Sequence, residues 1–116
     1  DVKTFNQSTC ALFINSTIKC WGANLQGTLG LGDTQNRGDQ ASEMGESLPH
    51  IYLGKKKAVI GITTGLNHIC ATIGSADENG LKCWGSNTAG ELGLGDAQAR
   101  GDNEGEMGDF LSFVEL

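Results

Sequence analysis

Apolar residues in this chain come in short runs of about four to six, separated by polar, glycine-rich stretches. Runs of that length, bounded by Gly, Asn, Asp and Ser, read as β-strands; none shows the longer 3.6-residue periodicity of a helix. The pattern predicts strands from Val2 to Phe5, Ala11 to Asn15, Thr17 to Trp21, Leu48 to Leu53 and Ala58 to Thr63. It predicts three more from Ala71 to Gly74, Gly80 to Trp84 and Leu111 to Leu116. Between them, Gly22 to Gly32 reads as a glycine-bent connection with Leu29 and Leu31 turned inward, and Asp33 to Ser47 as a polar, ordered loop.

The pattern occurs twice. Cys20 to Leu53 returns 63 residues later as Cys83 to Leu116, with 19 of 34 positions identical and no gap. Asp1 to Cys10 aligns with Gly61 to Cys70 at an offset of 60, and three extra residues in the second hairpin tip, residues 74–80, absorb the difference. A fixed period of this size marks a repeat architecture, in which each unit needs neighbours to cover its apolar face. Two modules are expected, residues 1–53 and 54–116, each with four short strands. Both ends cut the repeat, so the expectation is a fragment of a longer array.

Composition changes the picture in three ways. The net charge of −6 excludes a basic nucleic-acid footprint, and Lys55-Lys56-Lys57 reads as a solvated connector. No apolar stretch is long enough to span a membrane. Cys10 and Cys20 match Cys70 and Cys83 in the repeat. Each pair flanks a predicted hairpin, which would set its two cysteines opposite each other at disulfide distance. Cys10–Cys20 and Cys70–Cys83 disulfides are therefore predicted. The alternative is a zinc site, although close CxxC spacing is missing and neither His50 nor His68 recurs. Two N-x-[ST] sequons, at Asn6 and Asn15, add N-linked glycans to the expectation and point with the cysteines to a secreted or cell-surface protein.

Cys20-Trp21-Gly22-x-Asn24-x-x-Gly27-x-Leu29-Gly30-Leu31-Gly32 and its copy from Cys83 to Gly95 resemble the core signature of the regulator of chromosome condensation repeat. Gly65-Leu66-Asn67-His68-Ile69-Cys70-Ala71 is similar to that repeat's glycine-x-x-histidine-x-x-alanine strand. The resemblance covers nearly the whole chain. It implies all-β, four-stranded antiparallel propeller-type blades, usually seven, closed into a β-propeller. The modules depart from the family in a longer loop, in Ser8 at the histidine position, and in paired cysteines and sequons closer to secreted or surface versions. The exchange-factor activity of the founding member is not expected here.

The remaining motifs are all repeated, and repetition favours scaffold over ligand. Arg37-Gly38-Asp39 and Arg100-Gly101-Asp102 invite an integrin reading, but a matched pair reads better as a loop lock with each guanidinium on a nearby carboxylate. Asp33, Asp39 and Glu43, with Asp96, Asp102 and Glu106, are the candidate calcium ligands, although their spacing matches no EF-hand or nonapeptide calcium repeat. Trp21-Gly22 and Trp84-Gly85 read as blade-packing residues, and Met44 and Met107 as plugs holding the loop on its blade. No Ser-His-Asp set, phosphate loop or carboxylate pair is present in the sequence pattern, so no enzyme and no other cofactor is expected. Two functions compete. One is a structural or adhesive extracellular scaffold, closed as a propeller or stacked as a fibril, whose partners are copies of itself or further repeats. The other is a module that binds a protein through residues 37–46 and 100–109.

Overall fold

The computed structural model describes residues 1–55 and 57–116. Two three-stranded antiparallel sheets follow each other along the chain. The first joins β1 (Val2–Phe5), β2 (Ser8–Leu12) and β3 (Ile18–Gly22); the second joins β4 (Val59–Thr64), β5 (His68–Gly74) and β6 (Asn79–Gly85). Among the described residues there is no α-helix, and two single 3₁₀ turns, Gly45–Ser47 and Gly108–Phe110, mark equivalent places in the two long loops.

Alternation accounts for the sheets. In β5, Ile69, Ala71 and Ile73 face the core and are fully buried, while the residues between them are half-exposed. The first hairpin is shifted from the expected span. Phe13 and Ile14 continue the apolar run by composition but form its turn, with Phe13 N–H on the Thr17 carbonyl and Ser16 N–H on the Phe13 carbonyl. Ile14 is consequently fully exposed.

The expected fourth strand of each blade is corrected to an extended outer segment. Residues 48–53 lie along β3 through a single backbone bond, Ile51 N–H to the Ile18 carbonyl at 2.8 Å; in the second module Val114 N–H bonds the Leu81 carbonyl at 2.9 Å. Pro49 carries no N–H, and the Leu53 carbonyl is taken by a side chain, Lys82. The segment still packs: Leu48, Ile51 and Leu53 are buried. It supplies apolar cover where a ladder was expected.

One core runs between the two sheets. It gathers Cys10, Ile18, Cys20, Leu29, Ile51 and Leu53 from the first module with Val59, Ile62, Ile69, Ile73, Trp84 and Leu111 from the second. Leu29 and Leu92 are fully buried, as the glycine-bent connection predicts, whereas Leu31 and Leu94 are only half-buried.

Candidate functional site

The predicted disulfides are present. Cys10 and Cys20 face each other on β2 and β3, Cys70 and Cys83 on β5 and β6, and each pair is bonded. No free cysteine is left for a zinc site.

Each long loop is locked by an asparagine, an aspartate and an arginine. Asn24 is fully buried; its amide donates to the Asp33 and Gln35 carbonyls and to Asp33 Oδ1, and its oxygen accepts the Leu29 N–H. Asn87 repeats every one of these bonds with Asp96, Gln98 and Leu92. Arg37 then reaches back four residues to Asp33 at 2.8 Å, and Arg100 to Asp96 at the same distance. The loop-lock reading of Arg-Gly-Asp is geometrically satisfied, by the aspartate upstream rather than the one within the tripeptide. The arginine backbone is also engaged, exchanging two bonds with Gly22 in one module and with Gly85 in the other.

Four of the six candidate calcium ligands are engaged within these loops, and Asp39 and Asp102 lie beside Glu43 and Glu106. Asp33 and Asp96 hold arginines, Glu43 accepts from the Gly38 and Gln40 amides, and Glu106 accepts from the Gly101 and Asn103 amides. Among the described residues no three His, Cys, Asp or Glu side chains converge as metal ligands. The Arg100 hydrogen bond and then the Gln98 amide hold the Asp96 carboxyl below its ordinary value, against a smaller opposing effect of burial. At Asp33 burial pushes upward most, yet Arg37, the Gln35 amide and Asn24 together bring it below the ordinary value.

The two modules meet along a seam. The indole N–H of Trp84 donates to the Thr28 carbonyl at 3.0 Å, deep in the core. Gly32 N–H donates to the Gly101 carbonyl at 2.9 Å, and Gly108 N–H to the Tyr52 carbonyl at 2.9 Å. Close approach is possible because the facing positions lack side chains. A Cβ on Gly30 would lie 2.8 Å from Trp84 Nε1 and 3.1 Å from Met107 Cε, and one on Gly101 would lie 2.6 Å from the Gly27 carbonyl oxygen. Met107 thus packs on the neighbouring module as well as on its own loop, where its sulfur lies 3.5 Å from a Cβ placed on Gly101.

Lys82 completes the seam. Only 2% exposed, it donates its ammonium to the Leu53 and Gly108 carbonyls at 2.8 and 2.9 Å and lies 5.1 Å from the centre of the Phe113 ring. Burial, followed by the nearby Lys57 charge, lowers its pKa. Sequence reasoning missed this residue because Lys19 and Lys82 alternate with apolar neighbours in the way solvent-facing strand positions do. At the rim, Tyr52 and the Lys55 amide approach Asp109, and Lys57 pairs with Glu78. Lys56, the middle of the cationic run, lies outside the described residues.

No protein-family model matches the chain, and no curated protein matches it. Among solved structures, a chain of the crystal structure of Kap60 bound to yeast RCC1 (Prp20) is similar, with a TM-score of 0.58 at 16% identity. The match covers 81% of this chain and 19% of that one, so this chain spans about a fifth of its neighbour's length. The chain has the fold of RCC1-like propeller blades.

The two sequon asparagines are exposed and placed differently. Asn15 sits in the first hairpin turn, its side-chain Oδ1 accepting the Thr17 hydroxyl at 2.7 Å. Asn6 lies at the seam and donates to Asn67 of the other module at 3.0 Å. An open groove of about 340 Å³ runs along the seam past Leu31, Pro49, Tyr52 and Met107. His50 and Glu104 also line it.

Proposed function

We propose that the chain is a structural unit of an extracellular repeat scaffold, in which propeller-type blades are laid head to tail by a seam repeated from one blade to the next. The observation that carries this reading is the asymmetric burial of repeat-equivalent residues. Gly27, Thr28 and Gly30 are buried by the second module, while Gly90, Glu91 and Gly93 are exposed; Trp84, Gly101 and Gly108 are buried by the first, while Gly38 and Gly45 are exposed and Trp21 is half-exposed. Each module offers one face of each kind, and such heterologous faces propagate into a ring or a filament. The disulfides and the exposed sequons support an oxidising, extracellular setting with N-linked glycans. No enzymatic step, nucleic acid or cofactor enters this reading.

The competing reading, a foreign protein bound by residues 37–46 and 100–109, is less well supported. Gly101, Met107 and Gly108 of the second loop are already committed to the seam. Electron microscopy of the native protein under non-reducing conditions tests the proposal. Rings or filaments built of blades are expected; single particles holding an unrelated protein on the 37–46 loop would overturn it.

A further inference from the structure

We propose that a second copy of this chain docks its Trp21–Gly38–Met44 face onto the Gly90–Gly95 face of the first, in the register the second module uses on the first. The inference rests on the scaffold reading and adds to it the partner, the residues and the direction.

The two modules differ position by position in what covers these faces. On the receiving face, Gly30 meets Trp84 and Met107, whereas the three nearest atoms at Gly93 all belong to Val114 of its own module. Gly32 faces Asn103 and Glu104, whereas nothing lies within 4 Å of a Cβ placed on Gly95. On the inserting face, Gly108 is covered by Tyr52, whereas Gly45 has open space. Met44, the mate of the inserted Met107, is 43% exposed, which is where a plug without a socket would stand. Lys19 already donates to the Gly45 carbonyl at 2.9 Å, as Lys82 does to that of Gly108, but among the described residues it has no second carbonyl matching Leu53. In the docked pair Trp21 Nε1–H would donate to the Glu91 carbonyl, Gly95 N–H to the Gly38 carbonyl, and Met44 would enter beside Gly93.

Several positions differ from the internal seam, Glu104 being matched by Ala41 among them, and two of them add negative charge. Glu91 stands where Thr28 is buried, and Glu115 stands where Tyr52 meets Asp109, so that it would face Glu46, the mate of Asp109. The seam between copies is therefore weaker than the internal one and strengthens with added salt. The same two positions offer a gain-of-function test, since both glutamates are exposed in the single chain and their replacement leaves its core untouched.

The experiment is sedimentation velocity on the full chain over a concentration series, comparing wild type, Met44→Asp and the double variant Glu91→Thr/Glu115→Tyr. The expected result is concentration-dependent association of wild type, at least about tenfold tighter association in the double variant, and loss of association in Met44→Asp. Association that persists in Met44→Asp and is unchanged in the double variant would overturn this docking face while leaving a self-assembling scaffold intact. A chain that stays monomeric in wild type and double variant alike would remove the second copy as partner altogether, and a closed ring of covalently linked repeats in the native particle would then be what covers both faces.

Discussion

Trp84 gives its indole proton to the carbonyl of Thr28, 56 residues away and in the other module, while Trp21, at the equivalent place one repeat earlier, is only half-buried. The two tryptophans share sequence context and local geometry. They differ in whether a neighbour stands in front of them. Replacing Trp84 with Phe leaves the Thr28 carbonyl buried without a donor and is expected to cost about 1–3 kcal/mol. Trp21→Phe is expected to cost less than about 0.5 kcal/mol in the dilute chain. Urea unfolding of the two variants checks the difference, and equal losses would mean that the seam does not govern tryptophan burial.

Lys82 gives a second asymmetric pair with Lys19. The Lys82 ammonium serves two buried carbonyls, so Lys82→Met fills the space but strands both acceptors, at an expected cost of about 2–4 kcal/mol. Lys19 serves one exposed carbonyl, and Lys19→Met is expected to change stability by less than about 0.5 kcal/mol. A stabilised Lys82→Met chain would show that the ammonium is a burden the seam merely tolerates.

These two pairs also show how far the sequence carries. Periodicity and the repeat identify the two hairpins and both disulfides, because those depend on local alternation and on residues close in the chain, although β2 and β5 each begin three residues before the expected start. The resemblance built on Cys20 to Gly32 leads to the fold seen here. Two features lay beyond reach for a common reason. The outer segment at 48–53 has the composition of a strand but makes a single ladder bond, and so does its mate at 111–116, where Ser112 replaces Pro49. Met107 and Lys82 look like surface or own-blade residues until the neighbouring module is in place. Contacts between modules, unlike contacts within a hairpin, leave no spacing in the sequence.

The disulfides close loops of 10 and 13 residues of separation. Restricting the unfolded chain to that extent stabilises by about 2–4 kcal/mol per bridge. Mass measurement before and after reduction should show four hydrogens gained, two for each of the two bridges. Substituting either pair by alanine should lower the unfolding midpoint, and an unchanged mass on reduction would refute the bridges.

The loop locks make an acid-sensitive contribution. Asp96 has its folded pKa held below the ordinary 3.8, chiefly by Arg100 and then by the Gln98 amide. A carboxyl depressed by folding contributes stability that is fully present above its unfolded pKa and lost as pH falls through the lower, folded value. The same sign holds at Asp33, where the bonds from Arg37, Gln35 and Asn24 outweigh the upward push of burial. A side-chain carboxyl titration by NMR should place both midpoints below 3.8. Arg100→Gln removes the largest depressing cause and should move Asp96 upward while leaving Asp33, in the other module's lock, where it was. If Asp33 moved as far as Asp96, the two locks would be coupled through the seam rather than independent copies of one local device.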